Sequence, residues 1–239
     1  MPLPRAILFD LDDTIITEGE RLAILHLVAQ EFSASLSPHR PAAVADALEI
    51  ALHAFWSDPS QAKSARLASR AGIHEARQMV ITGAFGTMGM PADLAAAFSD
   101  RFTQLRAASA RMLDGARATL ETFRGMGVRM ALVTNGASDI QRAKIERFEL
   151  AALFDHIQVE GEHGFGKPED RAYFHAMAAL GVEPSGTWMV GDNLEWEVAA
   201  PQRLGIHAIW HDHLGRGLPA GSSVRPDRII RGLPELLPL

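Results

Sequence analysis

The pattern of apolar and polar positions changes character twice along the chain, and these changes mark its organisation. Ala6 to Phe9 form an unbroken apolar run that stops at Asp10, Asp12 and Asp13. A short continuous run ending in polar residues predicts a buried parallel strand with chemistry at its carboxyl end. From about Glu20 to Arg111 the pattern is helical. Leu22, Leu25, His26, Ala29 and Phe32 recur at helical spacing, and Val44, Ala47, Leu48 and Ala51 do so after Pro41. Further helices are predicted near Gly72–Phe85 and over Ala92–Ala108, on either side of the turn-prone stretch from Gly86 to Pro91.

From Leu113 onward strands and helices alternate. Helices are predicted over Gly115–Met126, from an N-cap at Ser138 to Phe148, over Glu169–Leu180 and over Glu195–Leu204. Strands are predicted over Val128–Val133, His156–Val159, Thr187–Val190, His207–Trp210 and Arg228–Ile230, with a terminal turn at Pro234–Leu237. Such alternation implies right-handed crossovers and a parallel sheet covered on both faces. The fold class expected is therefore α/β: a three-layer Rossmann-like core from residues 1–16 and 112–239, interrupted by a helical domain over residues 17–111.

Composition narrows the chemistry. The 239 residues carry a net charge of −6, which argues against nucleic acid as a partner. With 22% charged and 47% hydrophobic residues the chain reads as an ordinary globular protein. Cysteine is absent, which removes disulfides, thiolate zinc sites and every cysteine nucleophile. The stretch before Asp10 is too short for a signal-peptide core and no apolar run reaches membrane-spanning length, so a cytoplasmic protein with no membrane partner is expected.

Four strand ends collect polar groups. Asp10, Asp12 and Asp13 end the first, Thr134-Asn135 the second, Lys167 follows the third in a Gly-rich loop, and Asp192 ends the fourth. Carboxylates from different strands with one lysine suit a hard cation facing a phosphate-sized anion, because Mg²⁺ takes a few carboxylate oxygens together with water and phosphate oxygens. A carboxylate can also attack phosphorus and split one hard displacement into two.

At these residues the chain resembles the haloacid dehalogenase superfamily of aspartate-nucleophile phosphatases, in the subgroup whose helical cap is inserted after the first motif. Asp10-Leu11-Asp12-Asp13-Thr14 matches the first motif, Leu132 to Gly136 the second, Lys167-Pro168 the third, and Gly191 to Glu197 the fourth. The resemblance implies that Asp10 is the nucleophile and a Mg²⁺ ligand. Asp12 would move the proton and offer its backbone carbonyl to the metal, with Asp192 as the further ligand. Thr134 and Lys167 would bind the transferring phosphoryl group, with the backbone N–H groups after Asp10 and Asn135 as further donors. A carboxylic acid at Asp12 favours phosphate-ester hydrolysis over dehalogenation, since an alkoxide leaves only with a proton whereas halide needs none. The substrate implied is a small phosphorylated metabolite, selected by the cap. A phosphomutase and a catalytically inactive binding protein of the same fold are the alternatives. The family places Asp five residues after Asp192; here that residue is Glu197, one methylene longer, which alters the surroundings of the metal.

Other candidates have plainer readings. Asp13 reads as a turn acid. Gly161 to Lys167 approaches a nucleotide phosphate loop, but Pro168 stands where that motif needs a hydroxyl. His211 and His213 stand two apart near a strand end without a third ligand at metal-site spacing, and with His207 they read as solvated or core-edge histidines. In the insert, Trp56, Lys63, Arg66 and Arg70 read as a solvated helical face with a substrate-reading patch as the alternative, and for Glu18 and Arg21, where the chain passes over the site into the insert, contact with substrate is the lesser alternative.

Overall fold

The computed structural model describes residues 3–57 and 70–238. The chain forms two compact units, Met1–Thr17 with Met112–Leu239, and Glu18–Arg111.

In the first unit, six parallel strands form one sheet: β1 (Ala6–Phe9), β4 (Arg129–Thr134), β5 (His156–Val159), β6 (Thr187–Gly191), β7 (His207–His211) and β8 (Arg228–Ile230), in the order β5-β4-β1-β6-β7-β8. The short strands β2 (Ile16–Thr17) and β3 (Arg111–Met112) lie outside that sheet. β1 is central, with Phe9 in register with Leu132 of β4 and Val190 of β6. The connections run outward from β1 first through β4 and β5, then on the other side through β6, β7 and β8. The strand order therefore reverses at β1, and ligands of open α/β sheets bind at the carboxyl ends beside such a reversal.

The two faces of β1 feed separate cores. Ile7 and Phe9 join Ala116, Leu120 and Phe123 of α5 (Ala116–Gly125) and Ile145 of α6 (Ser138–Arg147). Ala6 and Leu8 join Tyr173, Ala176, Met177 and Leu180 of α7 (Asp170–Leu180). Both faces are covered, so the strand is apolar at every position, and all four of its residues are fully buried. This is the three-layer parallel architecture the alternation predicts.

The second unit is helical: α1 (Arg21–Glu31), α2 (Pro41–Ser57), α3 (Arg70–Thr87) and α4 (Ala92–Ala108). Leu25, Val28, Val44, Leu48, Ile81, Phe85, Phe98 and Phe102 close its own apolar core. Trp56 packs partly buried against that core, which corrects its reading as part of a solvated face. Lys63 and Arg66 lie outside the described residues, as does the side chain of Arg70. Glu18 accepts from Arg106 at 3.2 Å, and Arg21 forms two bonds to Glu49 at 2.7 and 2.6 Å, so both are engaged inside the helical unit.

Two local expectations are corrected. Ser138 is the first residue of α6 and does not cap it; its hydroxyl donates instead to Glu162 Oε1 at 2.8 Å. The helix predicted over Glu195–Leu204 is a wide π-turn over Leu194–Ala199 followed by a short α-helix, Ala200–Arg203. Pro201 explains the change, because it has no N–H for the carbonyl of Glu197 and its ring crowds that position. Tyr173 donates its hydroxyl to the carbonyl of Trp196 in this turn.

Phe9 is buried and its ring meets Phe154 edge-on at 6.3 Å. Phe9→Ala is expected to lower stability by about 3–5 kcal/mol, read from urea unfolding.

Candidate active site

The site is built where β1, β4 and β6 end. The N–H of Asp10 still donates to the carbonyl of Val190 at 3.0 Å, so the ladder carries Asp10 to the rim of the sheet with its side chain nearly buried. Beyond it the chain turns sharply. Asp13 takes a left-handed conformation (φ 54°), which Asp tolerates better than most residues, and accepts from the Thr17 hydroxyl at 2.7 Å. This is the geometry of a turn acid.

Lys167 is the centre of the charge arrangement. Its ammonium donates to Asp10 Oδ1 at 2.5 Å and lies 2.8 Å from Glu197 Oε1, with the side chains of Lys167 and Glu197 each only 1% exposed. Burial by itself would lower the lysine's proton affinity, but the charges of Asp10 and Glu197 outweigh it and hold the group firmly charged. The carboxylates outnumber this cation. Burial raises Asp10 above the usual range against the pull of Lys167, and Asp12 adds to the rise. Glu197 is pushed up to about 7 by burial, against Lys167 and with Asp10. Asp192 is raised well above its ordinary value by burial and by the charges of Glu197, Asp10 and Asp13.

The longer side chain at position 197 has a definite use. Glu197 Oε2 accepts the backbone N–H of Asn193 at 2.7 Å while Oε1 reaches Lys167, so one residue ties the turn after β6 to the lysine. Asn193 caps the π-turn by accepting from the N–H groups of Glu195 and Trp196 at 3.0 and 3.1 Å. Glu197 passes directly over Gly191: a Cβ there would stand 2.1 Å from Glu197 Cγ, so only glycine leaves room. The carbonyl of Asp192 accepts from the Trp210 indole at 2.6 Å.

Asn135 holds the lysine loop. Its Nδ2 donates to the Lys167 carbonyl at 2.7 Å and its Oδ1 accepts the Lys167 N–H at 2.9 Å. A side chain on Gly166 would meet Asn135 Oδ1 at 2.6 Å, so this close seating also requires glycine. Both polar ends of the Asn135 side chain are thus occupied by Lys167's backbone. Glu160, which sequence reasoning did not single out, is buried and accepts from Gly136 N at 3.0 Å.

Two more residues on α6 belong to the site. Gln141 Nε2 donates to Thr134 Oγ1 at 2.5 Å and to Asp12 Oδ2 at 2.8 Å, and lies 3.0 Å from the carbonyl of Asn135. Lys144 Nζ donates to Asp12 Oδ1 at 2.7 Å. A glutamine at the buried phase of a helix, four residues before buried Ile145, was the available signal.

The structure therefore gathers Asp10, Asp12, Thr134, Asn135, Lys167 and Asp192 around one rim of the sheet. The histidines singled out in the sequence are not among these residues. His211 is buried and lowered to about 4, first by burial and then by His213, whose Nε2 lies 3.9 Å from Asp13. His207 lies 3.8 Å from Asp227. Among the described residues, no three His, Cys, Asp or Glu side chains gather into a cation cage.

The comparison with known proteins settles the family. The sequence pattern of haloacid dehalogenase-like hydrolases matches residues 4–205. The chain belongs to that family. It is 32% identical over 237 residues to the phosphoserine phosphatase of Thermus thermophilus, covering 99% of this chain and 92% of the relative. It is also 37% identical over 110 residues to N-acylneuraminate-9-phosphatase of Rattus norvegicus, covering 46% of this chain and 44% of that one. Among solved structures, the HAD-hydrolase YfnB of Bacillus subtilis, described as bound to magnesium, shares the fold at a TM-score of 0.71 and 21% identity, covering 98% of this chain and 97% of that one. The L-2-haloacid dehalogenase of Xanthobacter autotrophicus shares it at 0.62 and 17% identity, covering 98% and 97%. As a hydrolase of this family the chain is an enzyme. No helix among the described residues is long and apolar enough to cross a membrane.

A pH dependence follows from Glu197. Its folded value of about 7 lies above the ordinary 4.5, so the folded state holds this proton more tightly than the unfolded chain. Without divalent cations, stability is expected to fall as pH rises from 4.5 to 7 and then to level off. Thermal melts across that window check this, and Glu197→Gln should flatten the decline.

Proposed function

We propose that the protein is a Mg²⁺-dependent phosphatase that hydrolyses a small phosphomonoester through an aspartyl-phosphate on Asp10. The observation that carries this reading is the buried Asp10 held by Lys167 at the end of β1, beside Asp192 and Glu197. The near full-length relative named phosphoserine phosphatase supports it, and the glyceraldehyde 3-phosphate phosphatase of Pyrococcus furiosus, 30% identical over 139 residues, supports a small substrate more generally.

In this reading Asp10 attacks phosphorus; the Asp10 oxygen–phosphorus bond forms as the bond to the leaving oxygen breaks. Asp12 gives its proton to that oxygen and releases an alcohol. Asp12 then takes a proton from water, whose oxygen attacks the same phosphorus, and Asp10 is freed with inorganic phosphate. Lys167 and the Thr134 hydroxyl bind phosphoryl oxygens, and an N–H after Asn135 adds a donor. Lys167 also opposes the rise that burial imposes on Asp10, favouring the ionised form that a nucleophile requires.

The residues fit a divalent cation. Asp10, Glu197 and Asp192 are all raised by burial and mutual repulsion with one lysine to offset them, so added positive charge is favoured there. Asp10, the backbone carbonyl of Asp12 and Asp192 would hold Mg²⁺, which when bound neutralises charge on the phosphoryl oxygens. Residues 17–111 would serve as the cap that selects the leaving group, and a substrate of metabolite size would reach the site from solution in the cytoplasm.

Phosphate release from a panel of phosphorylated metabolites with Mg²⁺ tests the activity. Asp10→Asn should abolish release while the protein stays folded, and retained turnover would overturn the mechanism. Release of phosphate in excess over any isomerised product separates hydrolysis from mutase chemistry. Independently of activity, Mg²⁺ should raise the melting temperature of the wild type and chelator should reverse this. Asp192→Asn should remove most of the shift.

A further inference from the structure

We propose that Gln141 is a positioning residue that locks the proton-transfer carboxylate and the phosphoryl-binding hydroxyl into one arrangement; the inference rests on the phosphatase reading above. Gln141 is buried on α6, and its amide nitrogen lies 2.5 Å from Thr134 Oγ1, 2.8 Å from Asp12 Oδ2 and 3.0 Å from the Asn135 carbonyl. A backbone carbonyl can only accept, and so can an ionised carboxylate. The amide must therefore turn its NH₂ group, not its oxygen, toward this cluster.

Two consequences follow. The hydroxyl oxygen of Thr134 accepts from Gln141, so the hydroxyl proton is directed to a different acceptor. A transferring phosphoryl group offers acceptors, and Thr134 meets it as a donor. At the same time Oδ2 of Asp12 is pinned by Gln141 and Oδ1 by Lys144 at 2.7 Å, three residues further along the same helix face. The Asp12 side chain is 41% exposed and Lys144 only 18%, so the carboxylate that moves the proton is anchored from its helix side and open on the other. Asp12 lies on the chain after β1 and Thr134 ends β4. Gln141 makes the spacing of these two strand ends a fixed spacing of two functional atoms.

The activity of Gln141 variants on esters of graded leaving group tests this. A positioning role predicts a loss that grows as the leaving oxygen needs its proton more. With Mg²⁺, kcat/KM is measured for 2,4-dinitrophenyl phosphate, whose anion departs unprotonated, for 4-nitrophenyl phosphate and for phenyl phosphate. Gln141→Leu removes the donors at similar volume, and Gln141→Met does so with a flexible chain if the leucine variant folds poorly. The expected result is a decrease on phenyl phosphate at least about tenfold larger than on the dinitrophenyl ester, a fraction of the usual worth of general acid catalysis. A parallel decrease across the three esters would overturn the inference, because a loosened fold lowers them alike. If wild-type protein releases phosphate neither from any of them nor from any phosphorylated metabolite of the panel above, the phosphatase reading itself falls, and that outcome is seen before any variant is compared.

Discussion

The structure turns on one buried ammonium. Lys167 is taken out of water to stand between Asp10 and Glu197. Burying an unpaired charge is strongly unfavourable, so each member of this trio is tolerated only because the others are present. The pairing joins three chain segments far apart in sequence: the end of β1, the loop after β5 and the π-turn after β6. Around it the backbone has been arranged to let side chains come close. Gly191 leaves space for Glu197 and Gly166 for Asn135. Both glycines follow from the shape of the site and not from a turn.

The carboxylates outnumber the single lysine among them, and burial and like charge act on each. Asp192, Asp10 and Glu197 are all shifted toward their protonated forms. Groups so perturbed by burial and by one another mark functional sites in general. Here they also explain why a divalent cation and a phosphate ester are the proposed occupants: the cation supplies the missing positive charge and the phosphoryl group the anion that Lys167 and Thr134 are placed to meet.

The fold alone does not choose the chemistry. Structures described as dehalogenases and as phosphatases share it with this chain at similar TM-scores, for example 0.67 and 0.59. In the proposed mechanism the difference lies in particular side chains, and Asp12 is the one that would separate ester cleavage, which needs a proton donor, from halide loss. In this protein Asp12 is held by Gln141 and Lys144. In that reading its surroundings on α6 would bear on the chemistry as directly as the residue itself.

Much was legible in the chain because hydrophobic period and strand ends are local signals. The apolar run Ala6–Phe9, the alternation after Leu113 and the acids and lysine at strand ends led to the parallel sheet and to Asp10, Asp12, Thr134, Lys167 and Asp192. The failures were of two kinds. Local competition decided some: the Ser138 hydroxyl had a better partner in Glu162, and Pro201 widened a helix that periodicity alone would have made regular. Long-range pairing decided the rest. That Asn135 would grip the backbone of Lys167, that Glu197 would bridge Asn193 and Lys167, and that Gln141 would join Asp12 to Thr134 depends on segments brought together by the strand order β4-β1-β6. A residue's own neighbours in sequence carry its propensity and its phase, but the partner of a buried polar group is chosen by tertiary packing, and only the folded sheet brings those partners within hydrogen-bond reach.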